Sequence, residues 1–361
     1  MRKARELGRR TLRLALTAPH MVNPRANYAR RDHDGILVLQ RGENASVDYY
    51  LRPRLEASGL PWWIADLDDA PSACAALGAG GPKALLVVIC RYASGPWLEA
   101  LEAVSRRLSR VAFFMDDDLP AVMRDAGLPQ AARGKTALHY GAHVDRIGAL
   151  ASEVWVSTWA LAERYPEARA TVLEPLPEAD PPAPAPAACR KVVYHGTDAH
   201  RPERRFVLEV ARRLAAAGVE TQFEITGDSA LARAAVGLPG VSVTPQLAWP
   251  DYLKRQTGAQ AAISLAPLMA STVNAARAPV KAFDAARLGA AGVYADYGPY
   301  PGFVRDGRDG LLLPMEVDAW VAVIAALLAE PDRRIALALG ARKRLLALRR
   351  ARPTLLARPA G

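Results

Sequence analysis

The sequence predicts an α/β protein of two domains, each built on a mostly parallel sheet with helices on both faces. Three observations predict it. The chain has 361 residues, more than one hydrophobic core ordinarily organises. Short continuous apolar runs alternate with stretches of helical periodicity, and the alternation occurs twice. Between the two series stand Pro175, Pro177, Pro181, Pro182, Pro184 and Pro186, a polyproline-like connector. The expected organisation is a basic leader over 1–34, a first domain over 35–174 and a Pro-rich linker over 175–190. A second domain over 191–335 and a basic helix or tail over 336–361 complete it.

The first series begins with the apolar run 36–39, read as a strand. An amphipathic stretch over 46–58 follows and ends at Gly59. The β-branched run 85–89 is a second strand, 96–108 a helix, 111–115 a third strand and 154–156 a fourth. Ser157 and Thr158 stand where caps of the next helix belong. After the prolines, 192–194 is a strand. Phe206, Val207, Val210, Ala211 and Leu214 fall at helical spacing, with Gly218 as the stop. Strands are then expected at 221–226, 241–243, 261–266, 293–295 and 311–313. Helices are expected at 251–256, 279–288 and 318–329, the last capped by Asp318. In open α/β sheets ligands bind beyond the carboxyl ends of the strands, so chemistry is sought in the loops that follow them.

Composition bounds the class. The formal charge is +10 and concentrates at the two ends. Arg2, Lys3, Arg5, Arg9, Arg10 and Arg13 crowd one; Arg342, Lys343, Arg344, Arg349, Arg350 and Arg352 crowd the other. Such clusters attract anionic lipid, nucleic acid or phosphorylated molecules. The basic runs lack interleaved aromatics, which argues against nucleic acid. Cys74, Cys90 and Cys189 are odd in number and far apart, so no disulfide framework is expected. The apolar stretch 12–18 carries Arg13 and lacks a cleavage pattern, unlike a secretory signal. No apolar run approaches the ~18 residues of a membrane span.

The segment 263–313 is the most informative. It reads as strand, polar loop, helix, glycine, strand and a Gly-Pro loop. Pro279 suits the first turn of a helix, which places Lys281 in that turn as well. A cation there opposes the helix dipole by about 0.3–1 kcal/mol. A bound anion between the helix start and the ammonium removes that cost. Arg277 adds a second positive group just upstream. Asp284 lies three residues after Lys281 on the same face. An ordinary surface Lys–Asp pair is the plain alternative.

This segment resembles the C-terminal half of retaining, group 1 type glycosyltransferases of the GT-B fold, the bacterial surface-polysaccharide enzymes. Asn274, Lys281, Gly289, Gly298, Pro299 and Tyr300 carry the resemblance, with Asp284 at the family's Glu position. Three departures stand out: Asp replaces that Glu, Ala276 occupies the place of an upstream Glu, and the family's first Lys is Arg277. The run Val193-Tyr194-His195-Gly196-Thr197-Asp198-Ala199-His200 resembles the family's strand and glycine turn at the diphosphate, with Arg201, Arg204 and Arg205 adding positive potential. Gly227-Asp228 resembles the turn beside the nucleotide, and Thr244-Pro245-Gln246 the base-flanking loop. The resemblance covers about 190–330. It implies two Rossmann-like domains facing across a cleft. It further implies Lys281, Arg277 and Asp284 as the catalytic group. Gly196, Thr197, His200, Gly227, Asp228, Gln246, Asn274, Gly298 and Pro299 would bind the donor.

The first half offers Asp116, Asp117 and Asp118 at a strand end. Oxygen ligands of this kind suit Mg²⁺ or Mn²⁺. GT-B enzymes generally act without a bound metal, so the resemblance implies no metal site, and acceptor contact or helix capping is the preferred reading. The run Tyr49-Tyr50-Leu51-Arg52-Pro53-Arg54-Leu55 is an amphipathic helix packing two tyrosines or a family feature. Other motifs fail. Arg133-Gly134-Lys135-Thr136 echoes the end of a P-loop, but Pro129 stands where its first glycine belongs. Residues 40–44 lack the G-x-G-x-x-G pattern, no G-x-S-x-G elbow exists, and His139 and His143 lack a zincin Glu.

The expected function is transfer of a sugar from a nucleotide diphosphate sugar to a glycan or lipid-linked cell-envelope acceptor. No cofactor beyond that donor is expected, and no nucleic acid. The expected location is cytoplasmic, with peripheral contact at an anionic inner membrane. The alternative is a non-catalytic two-lobed nucleotide-sugar-binding or scaffold protein on the same fold. A sugar-nucleotide epimerase is a weaker third reading.

Overall fold

A computed structural model describes residues 20–29, 32–197, 200–351 and 356. The basic leader up to residue 19, Asp198, Ala199 and Arg352 lie outside the described residues. The chain divides into two units. Unit 1 comprises residues up to Pro175 with the short segment Ala276–Ala278, and unit 2 comprises Leu176–Ala275 and Pro279–Ala351.

Unit 1 carries a six-stranded parallel sheet in the order β2-β1-β3-β4-β5-β6. Its strands are β1 Gly35–Gln40, β2 Trp62–Asp66, β3 Leu85–Cys90, β4 Leu108–Met115, β5 Glu153–Val156 and β6 Thr171–Val172. Every residue of β1 and β3 is buried, which is why these strands read as unbroken apolar runs. The edge strands β2 and β6 were not expected. Trp62–Asp66 is only half buried, and Thr171–Val172 is two residues long. The expected helix 96–108 is shorter: it spans Gly95–Ala103, and Leu108 already begins β4. The stretch 46–58 is not one regular helix. A wide turn over Val47–Leu51 precedes the helix Arg52–Ala57. Thr158 caps the helix Trp159–Arg164 by accepting from the Leu161 amide. Trp97, Phe113 and Tyr140 are among the largest side chains of this unit's core.

Unit 2 repeats the architecture with a different strand order, β12-β11-β10-β7-β8-β9, again all parallel. The strands are β7 Lys191–Tyr194, β8 Gln222–Thr226, β9 Val241–Thr244, β10 Ile263–Ala266, β11 Ala291–Ala295 and β12 Leu311–Leu313. The helix Arg201–Ala216 buries Phe206, Val207, Val210, Ala211 and Leu214, the spacing read from the sequence. Phe206 meets Trp320 edge-on at 5.4 Å. Asp318 is not the cap of its helix. It lies in the first turn of Val317–Ala329 and pairs with Arg213.

The proline-rich connector is fixed along the last helix, Pro331–Arg350. Arg334 donates to the Pro186 and Ala187 carbonyls at 2.9 and 3.0 Å, Arg342 to Pro181 at 2.9 Å, and Arg349 meets Asp180 at 3.0 Å. Much of the basic charge at this end is therefore engaged within unit 2. Among the described residues no helix is long and apolar enough to cross a membrane.

Both strand orders contain a point where the chain's progress across the sheet reverses. In unit 2 it lies between β7 and β10, and in unit 1 between β1 and β3. Loops on either side of such a point leave in opposite directions and open a crevice beyond the carboxyl ends.

Candidate functional site

At the reversal of unit 2, β7 ends in His195-Gly196-Thr197. Gly196 has no room for a side chain, because a Cβ would stand 2.5 Å from the Tyr194 hydroxyl. Buried Arg204 donates to the Gly196 carbonyl at 3.3 Å, so it positions the turn from below. Thr197 is exposed at the turn's tip. His195 Nε2 lies 3.0 Å from Glu224 Oε1, and its Nδ1 lies 3.3 Å from the Tyr252 hydroxyl. Glu224 also receives Lys191 and Arg255, each at 3.0 Å. The hydrogen bond from His195, reinforced by Lys191, outweighs burial and holds the Glu224 carboxyl at about 2.

Across the reversal, the loop after β10 is organised by Glu203, whose side chain is 2% exposed. Its Oε1 accepts from the Met269 amide at 3.0 Å and from Asn274 Nδ2 at 3.3 Å, and His200 Nδ1 stands 3.7 Å away. Burial raises the Glu203 carboxyl, but the His200 ring and the Met269 amide together hold it below the ordinary glutamate value. His200 and Asn274 therefore meet at one buried carboxylate. Gly298 adopts φ +64°, a conformation that favours glycine, and a Cβ there would lie 2.9 Å from the Asn274 carbonyl. Pro299 precedes the short turn Tyr300–Phe303, and Tyr300 packs on Tyr294 at 5.0 Å.

The helix Val280–Arg287 carries the expected same-face pair. Lys281 Nζ donates to Asp284 Oδ2 at 2.8 Å. The Asp284 side chain is 6% exposed and is held on its other oxygen by Arg287 at 3.3 Å. The Lys281 side chain remains 30% exposed. The pair is thus an oriented cation over a buried anchor. Arg287 lies over the Trp249 ring at 5.8 Å, and Trp249 stacks on Tyr252 at 5.4 Å. These contacts connect the Lys281 helix to the His195 network.

Other expected donor residues sit elsewhere on the same edge. Asp228 follows β8 and caps the helix Ser229–Ala234, accepting from the Leu231 amide at 2.9 Å. That backbone hydrogen bond holds its carboxyl below the usual range. A Cβ on Gly227 would stand 2.4 Å from Leu231 Cδ2, so a larger residue there would have to displace the Leu231 side chain. Gln246 is exposed in the loop after β9, at the outer edge of the sheet. Arg277 belongs to the short segment that clusters with unit 1, where Thr158 Oγ1 donates to the Ala276 carbonyl at 2.9 Å.

In unit 1 the three aspartates after β4 have separate partners. Asp118 caps the helix Leu119–Arg124 and also receives the Tyr165 hydroxyl at 2.5 Å and Arg164. Asp116 accepts from Ser46 Oγ at 2.6 Å and lies 3.3 Å from Arg91 Nε. Burial pushes the Asp116 carboxyl up against the pull of Arg91. Asp117 meets Arg91 at 3.3 Å and Arg277 at 3.8 Å. Among the described residues no group of three His, Cys, Asp or Glu is placed to hold a metal ion. Arg91 was not singled out in the sequence. It follows β3 directly and adopts φ +67°, a left-handed conformation that costs a non-glycine residue about 1–2 kcal/mol. Its amide donates to the Phe114 carbonyl at 2.8 Å, and its guanidinium bridges two carboxylates.

Residues 189–330 match the family model described as glycosyl transferases group 1. That segment contains the β7 turn, the Glu203 loop and the Lys281 helix. No curated protein matches the sequence. Among solved structures, HepE of Anabaena in complex with UDP and glucose aligns at 13% identity and TM-score 0.52, covering 88% of this chain and 95% of that one. Sucrose-phosphate synthase of Thermosynechococcus elongatus aligns at 15% and 0.53, covering 87% and 94%. TarM aligns at 12% and 0.51 over 74% of this chain, which spans about half of TarM's length, 53%. At these identities the likeness concerns the fold. Two six-stranded parallel α/β units are the GT-B architecture expected from the sequence.

Proposed function

We propose that the chain is a glycosyltransferase moving a hexosyl group from a nucleotide diphosphate sugar, bound at the carboxyl edge of unit 2, to a glycan or lipid-linked acceptor of the cell envelope. The observation that carries the reading is Lys281. It lies inside the segment matched to group 1 glycosyl transferases, in the first turn of its helix, with its ammonium anchored by Asp284 at 2.8 Å. When the bond to the sugar breaks, negative charge develops on the departing diphosphate. A fixed ammonium and the free amides of a helix start stabilise that charge without reorganising. Asp284 is then a positioning residue, since both its oxygens are already engaged. Gly196, held by Arg204, lets backbone approach a phosphate, and Asn274 with Gly298 shapes the facing loop.

Donor binding without a divalent ion is part of this proposal, because Lys281 and the helix start supply the positive charge. The complexes of HepE with UDP and glucose and of S. aureus TarM with UDP are consistent with a uridine nucleotide as donor. A cytoplasmic location with peripheral contact at an anionic membrane completes the reading. Lys343 and Arg350 remain exposed on the last helix.

The test is thermal-shift binding of UDP, GDP, CMP and dTDP to the wild type and to Lys281→Ala, with and without Mn²⁺. A nucleotide at about 100 times its dissociation constant adds about 2.7 kcal/mol to stability. One nucleotide should stabilise the wild type and lose that effect in the variant. If none stabilises either protein, the non-catalytic scaffold reading replaces this one.

A further inference from the structure

We infer that unit 1 holds a phosphate-bearing acceptor at its strand-order reversal, through Arg41, Lys135 and His139 beside the ring of Tyr92. The word acceptor rests on the glycosyltransferase reading, whereas the anion site stands on unit 1 alone.

Arg41 directly follows β1, and Arg91-Tyr92 directly follow β3, the two strands that flank the reversal. The Ala93 amide donates to the His139 carbonyl at 2.9 Å, which ties the turn over Ala137–Gly141 to the end of β3. The Tyr92 ring then gathers three nitrogenous groups. Lys135 Nζ lies 5.3 Å from its centroid, Arg91 Cζ also 5.3 Å, and the His139 ring 6.0 Å. Lys135 belongs to the Arg133-Gly134-Lys135-Thr136 run, which fails as a P-loop yet delivers its lysine to this crevice.

Charge balance separates these cations. Arg91 is matched by Asp116 and Asp117. Arg41 has one ion pair among the described residues, to Asp68 at 4.0 Å, and the Asp68 side chain is 73% exposed. Its Nε is buried with no hydrogen-bond partner. Lys135 meets no carboxylate among the described residues, only the Tyr92 ring. The groups acting on His139 tell the same story. Burial lowers its pKa, Arg41, Lys135 and His143 lower it further, and Asp68 alone opposes them. Arg41 and Lys135 thus both act on the His139 ring, and the one carboxylate that opposes them, Asp68, is largely exposed to solvent. A buried N–H without an acceptor is costly, and an oxyanion supplies the missing acceptor. Phosphate suits this set, because a guanidinium fork and an ammonium share its oxygens and its double charge matches two cations.

The test follows the His139 C2–H resonance in the full chain, assigned with His139→Gln. Inorganic phosphate is titrated against sodium chloride at equal ionic strength. Phosphate should shift the resonance saturably and raise the pH at which His139 titrates. The double variant Arg41→Gln, Lys135→Gln should lose both effects, and Lys281→Ala should keep them. A response that does not saturate, or that persists in the double variant, means an adventitious ion only and overturns the site. A hexose phosphate and farnesyl diphosphate then separate a soluble sugar phosphate from a lipid-linked one. The true class should bind at least about tenfold tighter than phosphate, about 1.4 kcal/mol. If neither does, the acceptor assignment falls. Binding of UDP, GDP, CMP and dTDP is scored in parallel: phosphate bound but no nucleotide refutes the glycosyltransferase reading alone, and a nucleotide bound but no phosphate refutes this inference alone.

Discussion

Replacing Glu224 by Gln should flatten the acid limb of the stability curve. In the folded chain the Glu224 carboxyl titrates at about 2, against 4.5 for an unperturbed glutamate. The hydrogen bond from His195 comes first among the causes, and Lys191 adds to it against the opposing effect of burial. A carboxyl moved that far contributes about 3 kcal/mol to folding when it is ionised. The side chain is 10% exposed, so little of this is screened away. The folded pKa is depressed, so the contribution is complete above the unfolded pKa and is lost as pH falls from about 4.5 towards about 2. Urea unfolding of wild type and Glu224→Gln at a series of pH values isolates this group, since other carboxyls cancel in the difference. The gap should be about 3 kcal/mol near neutrality and should close towards the acid end. A gap that stays constant with pH refutes the reasoning, because an uncharged role such as packing would show that behaviour.

Two further substitutions separate structure from ligand contact. Asp228→Ala should cost about 1 kcal/mol as a lost helix cap, measured by chemical denaturation, with nucleotide affinity unchanged. A large loss of affinity would show that Asp228 contacts the donor as well as capping the helix. Arg91→Ala should destabilise unit 1 by up to about 3 kcal/mol, less the relief of its left-handed backbone, because it leaves Asp116 with no cation and Asp117 with Arg277 alone. Calorimetry should place that loss in unit 1 and leave UDP binding by unit 2 in place.

The interior of both sheets was legible because β1, β3, β4 and β10 are buried on both faces and write themselves as apolar runs. The edge strands were not. Trp62–Asp66 alternates nothing, being half buried throughout, and Thr171–Val172 is too short to carry a pattern. The helix over 96–108 ran too far because Leu108 keeps the helical spacing although it packs as the first residue of β4. In the site, Lys281 and Asp284 were visible because an i, i+3 pair is a local fact. Glu203, Glu224 and Arg91 were not, because their partners lie 23 or more residues away in sequence, apart from His200. One signal was present: a glutamate inside an otherwise apolar strand, Phe223-Glu224-Ile225, must be paired or costly. Arg277 shows the limit most clearly. Three residues separate it from Lys281, yet its guanidinium faces Asp117 in unit 1.

The proposed donor site asks the edge of unit 2 to favour a polyanion over a neutral ligand, and its charges fit that demand. Each carboxylate at the reversal is already occupied: Glu224 by Lys191, Arg255 and His195, Glu203 by an amide and Asn274, Asp284 by Lys281 and Arg287. At Glu224 and Asp284 the partners are cations, which offset the carboxylate's repulsion of a diphosphate while the carboxylate fixes them in place. Lys281, like Lys191 and Arg255, stays partly exposed, and its ammonium is held in one place by a buried partner. Removing Asp284 should therefore leave the positive charge but release its position. Asp284→Asn should retain UDP binding within about tenfold, about 1.4 kcal/mol, because the amide oxygen can still accept from Lys281. Asp284→Ala should lose more, despite lowering the negative charge of the site. If Ala binds UDP more tightly than Asn, local charge and not orientation governs the site, and the anchoring role of Asp284 is wrong.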